Sequence, residues 1–149
     1  MLSLVIPVYR NEASLPEVLD ALRGLHQALK GGLEVVFVVD GSPDRCHELL
    51  RERLPATGLT ATLVLLTRNF GSFSAVRMGL AEGRGDSFAV MAADLQEPPA
   101  LVLRMQDILA RDGADVVVAE RTLRHDPLLQ RWQARVFWAL YRRYVVPEM

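Results

Sequence analysis

Cysteine, lysine and histidine are all scarce in this chain, and each scarcity closes off a class of function. The single cysteine, Cys46, leaves no partner for an internal disulfide and no cysteine-based zinc cluster, and it points to a reducing compartment. His26, His47 and His125 lie far apart with no metal-ligand spacing, so surface or packing roles suit all three. Lys30 is the one lysine among seventeen basic residues. Arginine is the better phosphate fork, although a genome with biased codons produces the same excess. A net charge of −1 makes the molecule as a whole no magnet for nucleic acid, which is excluded as a partner on this ground. No uncharged apolar run approaches the roughly 18 residues of a membrane-spanning helix. The opening MLSLVIPVY has no basic leader and reaches Pro7 too early for a signal peptide. The expected location is cytoplasmic or on a membrane surface. Phosphate fingerprints are missing as well. VYRNEAS contains no G-x-G-x-x-G, and no G-K-[ST] occurs anywhere, which weakens the classical dinucleotide and P-loop readings.

What the chain does contain is a regular alternation. Its 149 residues suffice for one domain with a real core, and 50% hydrophobic with 23% charged residues fits a globular protein. The runs 2–8, 33–39, 61–66, 87–92 and 115–119 are short, β-branched and almost continuously apolar, as strands buried on both faces of a parallel sheet are. Helical patterns lie between them. In the first, Ser14 and Glu17 have capping-box spacing, Pro16 falls in the first turn, and Leu15, Val18, Leu19, Leu22, Leu25 and Leu29 form one stripe before Gly31-Gly32. Asp44 suits the cap of a second helix over 45–54; a third spans about 73–82 and a fourth runs from Pro99 to Asp112. The order predicts an α/β fold, a mostly parallel sheet with helices on both faces.

Such sheets bind ligands beyond the carboxyl ends of their strands. Read strand end by strand end, those positions hold Tyr9-Arg10-Asn11-Glu12, then Asp40-Gly41-Ser42-Pro43-Asp44, then Arg68-Asn69-Phe70-Gly71, then Asp94-Leu95-Gln96-Glu97, then Glu120-Arg121. Each stretch alone also has a plain structural reading. DGSPD is a tight turn with a helix cap, and RNFGS is a turn in which Gly71 is free to take positive φ. ADLQEPP is a strand exit stiffened by two prolines, with Asp94 accepting backbone N–H bonds.

In order and spacing, VIPVYRNEASLPEVL, VVDGSPD, LTRNFGSFSAVRMGLAEGRGD, MAADLQEPP and VVVAERTLRHDP closely resemble the family 2 glycosyltransferases of GT-A fold. The branch most resembled moves a sugar from a nucleotide donor to a polyprenyl or dolichyl phosphate. The resemblance implies that Pro7, Tyr9 and Glu12 lie against the nucleotide, and that Asp40 accepts a hydrogen bond from its base. It implies that Arg68 and Gly71 approach the nucleotide and its phosphates. Asp94 and Gln96 would ligate a divalent ion, Mg²⁺ or Mn²⁺, at the diphosphate, while Arg121 and Arg124 would serve the donor and lipid phosphates. Asp94, Arg121 and Arg124 are then the catalytic candidates. A leaving nucleoside diphosphate gains negative charge as the glycosidic bond breaks, which a hard cation and fixed arginines offset.

Two positions depart from the family pattern. Val39 stands where the first acid of D-D-G-S is usual, and Ala92 where the first acid of D-A-D-L-Q is usual. The chain ends at VVPEM, where relatives continue into the acceptor side, so 1–149 is expected to be a single nucleotide-sugar-binding domain, shortened at its C-terminus. Residues 127–144 read as a basic amphipathic helix, with Leu128, Leu129, Trp132, Val136, Phe137, Leu140, Tyr141 and Tyr144 on one stripe and arginines flanking it. That helix either packs on the core or lies at the inner face of the cell membrane, and an uncovered apolar face invites homo-oligomers. The expected function is sugar transfer from a nucleotide sugar to a polyprenyl phosphate or other lipid-linked acceptor. The alternative is a weakened or silent nucleotide-binding relative.

Overall fold

LSLVIPV and LEVVFVV become the two central strands, β1 (Leu2–Val8) and β2 (Leu33–Val39), paired in parallel from Leu2↔Leu33 to Val8↔Val39. Every β2 side chain is buried, and in β1 only Pro7 is partly exposed, as continuous apolar runs require when both sheet faces are covered. The computed structural model describes residues 1–120, of which Met1–Val117 form one compact unit. Within that unit β3 (Thr60–Leu65) flanks β2, and the four-residue β4 (Ser87–Val90) flanks β1. The sheet is parallel throughout, in the order β3-β2-β1-β4.

The crossover helices are α1 (Leu15–Ala28), α2 (Cys46–Arg53) and α3 (Ser72–Glu82), and α4 (Ala100–Asp112) follows β4. On one sheet face, Leu15, Val18, Leu19, Leu22 and Leu25 of α1 join Cys46 and Leu50 of α2 and Val102 of α4 over Leu4, Ile6, Val35 and Phe37. On the other face α3 lies over Val5, Val36 and Val38 through Ala75. Gly79 allows its close approach: a Cβ there would stand 2.3 Å from Val5 Cγ1, a stiff side chain that is fully buried. The expected α/β layering with helices on both faces is present.

Local differences have physical causes. The apolar run 115–119, expected as a fifth strand, has no strand pairing among the described residues, and Val116 is 75% exposed. An apolar run becomes a strand only when its backbone finds a ladder, and these residues find none among the described ones. The Ser14–Glu17 capping box does not form either. Ser14 has helical backbone angles (φ −89°, ψ −21°) and makes no side-chain cap bond, whereas a capping side chain needs an extended backbone beneath it.

Glu34, inside the apolar run of β2, is fully buried. Its Oε2 accepts the Ser3 hydroxyl at 2.6 Å and the Arg84 N–H at 2.7 Å, while Oε1 accepts Arg84 Nε at 2.9 Å. Ser3 in turn accepts the Gly85 N–H at 2.8 Å. One acid thus ties β1, β2 and the α3–β4 turn together at the edge of the sheet where the strands begin. Burial pushes this carboxyl up, but the Ser3 hydroxyl and the Arg84 donors outweigh it and leave its pKa below the ordinary range. The Arg84 side chain is 70% exposed, so the ion pair itself adds little.

A lowered folded pKa means that stabilisation is complete above the unfolded value, about 4.3, and is lost as pH falls through the folded one. Glu34→Gln should therefore cost about 2 kcal/mol at pH 7. In urea denaturation the gap between wild type and variant should narrow steadily below about pH 4. A gap that does not change with pH would refute the charged network.

Candidate functional site

From β1 to β3 the chain lays strands down in one direction, and with β4 it turns back to the far side of β1. The loops leaving β1 and β4 therefore part from neighbouring strand ends, the place where open α/β sheets take ligands. Two side chains of the β1 loop cross to the β4 loop. Ser14 Oγ donates to the Ala93 carbonyl at 2.6 Å, and Asn11 Nδ2 reaches the same oxygen at 3.4 Å. Asn11 also accepts the Tyr9 N–H on Oδ1 at 2.9 Å and donates its own N–H to Cys46 Sγ at 3.3 Å.

The loops after β1 and β2 interlock by exchanging acids. Asp44 Oδ2 accepts the Glu12 N–H at 3.2 Å, and Glu12 Oε2 accepts the Arg45 N–H at 3.1 Å. Asp44 Oδ1 accepts the Ser42 hydroxyl at 2.6 Å and the Cys46 N–H at 3.3 Å. Ser42 Oγ accepts the Arg10 N–H at 2.8 Å, which holds Arg10 in a left-handed conformation of φ 57°. Burial pushes the Asp44 carboxyl up, but the Cys46 thiol, the Ser42 hydroxyl and the two backbone donors more than offset it, and Asp44 titrates below the ordinary aspartate range. Burial first, and then Asp44, pushes the Cys46 thiol up to about 11, so it packs and accepts a hydrogen bond as a neutral thiol.

Asp40 is the most enclosed of the predicted site residues among those described, 3% exposed. Its Oδ1 accepts the Phe70 N–H and its Oδ2 the Gly71 N–H, both at 2.8 Å. The RNFG loop is thereby clamped onto the end of β2. Gly41 makes room for it at φ +56°, since a Cβ there would stand 2.3 Å from the Arg68 carbonyl carbon. Gly71 has φ +91°, as its turn position predicts. Above this clamp the Arg68 guanidinium stacks over the Phe70 ring at 4.8 Å, and Arg10 stacks over Tyr9 at 5.3 Å. All four of these side chains are exposed.

Asp94 and Gln96 are exposed at the exit of β4, and Asp94 Oδ1 accepts the Gln96 N–H at 3.1 Å. Leu95 between them has φ 54°, a left-handed conformation costing on the order of 1–2 kcal/mol. Packing of its side chain against the core helps offset that cost. Of the three non-glycine residues with positive φ among the described residues, Arg10 and Leu95 both fall at this edge.

As an ion site the donors are sparse. No group of three acids, histidines or cysteines placed to hold a metal ion occurs among the described residues, and half-buried Ala92 offers no carboxylate. One carboxylate and one amide oxygen suit Mg²⁺ or Mn²⁺ where substrate phosphates and water complete the shell. On that condition the residues fit.

Of the residues predicted for the site, Tyr9, Glu12, Asp40, Arg68, Gly71, Asp94 and Gln96 fall on loops at the carboxyl edge, and half-buried Pro7 lies one residue from the end of β1. Arg121, Arg124 and the segment 127–144 lie outside the described residues. By sequence, Ser14, Ser42 and Asp44 are turn and cap residues. The structure adds the bonds by which they join separate loops.

Residues 3–147 match the family described as Glycosyl transferase family 2. The chain belongs to that family. It is 40% identical over 136 residues to the undecaprenyl-phosphate 4-deoxy-4-formamido-L-arabinose transferase of Pseudomonas paraeruginosa, covering 91% of this chain and 40% of that protein. The enzyme of the same description from Aeromonas hydrophila is 35% identical over 136 residues, 91% of this chain and 41% of that one. The chain thus spans about 40% of the length of these curated relatives. Among solved structures, S. aureus TarS in complex with UDP-GlcNAc superposes with TM-score 0.66 at 19% identity, over 85% of this chain and 36% of that one. Glucosyl-3-phosphoglycerate synthase from Mycobacterium tuberculosis in complex with UDP gives TM-score 0.56 at 21% identity, over 100% of this chain and 53% of that one. At these identities the likeness is one of fold, and it confirms the GT-A architecture.

The clamp of this family member's RNFG loop can be tested directly. Asp40→Asn keeps one acceptor but turns an NH₂ toward a backbone N–H. It should destabilise the protein by about 1.5–3 kcal/mol and speed amide exchange at Phe70 and Gly71 before other loops respond. Unchanged exchange at those two amides would show that the clamp does not hold the loop in solution.

Proposed function

We propose that this chain forms the donor-binding part of a glycosyltransferase, one that passes a sugar from a nucleoside-diphosphate sugar to a polyprenyl phosphate or other lipid-linked acceptor. The observation that carries the reading is the meeting of four strand-end loops at one sheet edge in a family 2 member. The undecaprenyl-phosphate transferases among its relatives and the UDP-GlcNAc complex of a structural neighbour support the two substrate classes.

In this reading the exposed Tyr9 ring, with Pro7 and Glu12 behind it, faces the nucleotide. Asp40 holds the RNFG loop, and through its remaining lone pairs would accept from the base. Stacked Arg68 presents its guanidinium to the phosphates, where the backbone at Gly71 leaves room. Asp94 and Gln96 would hold Mg²⁺ or Mn²⁺, which when bound neutralises charge on the leaving diphosphate. Arg121 and Arg124 would serve the donor and acceptor phosphates. A phosphate acceptor is already anionic, so the site needs no strong general base. A lipid-linked acceptor would bring the protein to the inner face of the membrane, with the basic segment 127–144 suited to that surface. No helix among the described residues is long and apolar enough to cross a membrane.

One observation favours a second reading, that of a weakened relative. Val39 is fully buried in the core beneath α1 and α2, and half-buried Ala92 offers no carboxylate, so both positions where acids are usual lack one.

Calorimetry with UDP and GDP, with and without Mn²⁺, tests the proposal. Nucleotide binding should be strengthened by the metal, and Asp94→Ala should abolish that gain. Ala92→Asp should tighten the metal-dependent step by on the order of tenfold. Failure of both nucleotides to bind would sink the donor-site reading, whereas binding without turnover on a polyprenyl phosphate would favour the weakened relative.

A further inference from the structure

We infer that Ser14 is a positioning residue for Asp94: its hydroxyl, helped by the Asn11 carboxamide, holds the Ala93 carbonyl and so sets where the Asp94 carboxylate stands. The inference deepens the ion and diphosphate role proposed for Asp94 and rests on it.

Ser14 occupies a position where a hydroxyl ordinarily caps a helix, and it does not cap. Its oxygen lies 2.6 Å from the Ala93 carbonyl and 3.1 Å from the Asn11 carbonyl. A hydroxyl has one proton to donate, and the shorter contact takes it. Asn11 Nδ2 approaches the same Ala93 oxygen from 3.4 Å. Ala93 is 3% exposed, so a lost donor would leave this carbonyl poorly placed to find water.

The residues around Asp94 are restrained on both sides. Before it, Ala93 is hung from the β1–α1 loop and packed in the core; after it, Leu95 is packed against the same core at φ 54°. The Asp94 side chain is the exposed member between two anchored neighbours, and its Oδ1 is turned back to the Gln96 N–H. Both crossing bonds span the point where strand order reverses, joining the loop assigned to the nucleotide with the loop assigned to the ion. A carboxylate fixed by its neighbours binds a cation without first being ordered, as supporting residues around metal ligands do.

The test compares wild type, Ser14→Ala, Ser14→Thr and Asp94→Ala for UDP and GDP affinity with and without Mn²⁺, alongside amide exchange at Gln96. Ser14→Ala should reduce the Mn²⁺-dependent gain by about tenfold, leave metal-free affinity unchanged and speed exchange at Gln96. Ser14→Thr, which keeps the hydroxyl, should restore all three. If the alanine variant does not fold, Ser14→Cys, similar in volume with a weak donor, should show the same loss. A full metal-dependent gain in Ser14→Ala, with that gain lost in Asp94→Ala, overturns the inference and leaves the ion role standing. Equal losses of metal-free and metal-dependent affinity also overturn it, because the hydroxyl would then serve only the fold. A full gain in Asp94→Ala removes the ion role and the inference together.

Discussion

Where the chain turns back past β1 to lay down β4, a parallel sheet with crossovers of one hand has to move its next helix to the opposite face. The helix concerned, α3, lies on the face opposite α1 and α2, pressed onto Val5 and Val38 at Gly79. The same reversal separates the loops after β1 and β4 and opens the edge between them. Side chains then hold those loops: Ser14 and Asn11 on the Ala93 carbonyl, Asp44 on the Glu12 N–H, Glu12 on the Arg45 N–H, and Asp40 on the Phe70 and Gly71 N–H groups.

Acids play two roles at opposite ends of the strands. Glu34 is buried where the strands begin and is satisfied by a hydroxyl, a backbone N–H and a guanidinium. At the carboxyl ends Asp40, Asp44 and Glu12 accept backbone N–H groups, which a carboxylate with several acceptor sites does well and a neutral side chain does less well. Together with Ser14 and Asn11 on Ala93, they turn four loops into one framework before any ligand arrives. Left exposed at this edge are, among others, Arg10 and Arg68, each stacked on an aromatic ring, and Asp94 beside Gln96. The strain at Arg10 and Leu95 falls within this framework.

Much of this was legible along the chain. Strands β1 to β4 and helices α1 to α4 come from the apolar period, and their ends from Gly31, Gly83, Pro99 and Gly113. Gly71 was readable as a residue needing positive φ, and Asp94 as an acceptor of backbone N–H. Two features misled. DVVVA has the composition of a strand but no ladder among the described residues, and S-x-x-E has the spacing of a capping box although its serine serves a carbonyl 79 positions away. Local pattern records what a segment can do alone, and both outcomes depended on what stood beside it.

The sequence by itself determined the layering and the loops on which the candidate residues fall, because burial on both faces of a strand and the handedness of crossovers are properties of short segments. It also carried the ordered motifs of family 2, now matched over residues 3–147. Only the tertiary structure decided that Asp40 spends both oxygens on the RNFG backbone, that Asp44 and Glu12 interlock two loops, and that Ser14 anchors the loop bearing Asp94. Those facts are distances between residues far apart in the chain. A carboxylate or hydroxyl has no fixed partner until folding brings one within hydrogen-bond reach.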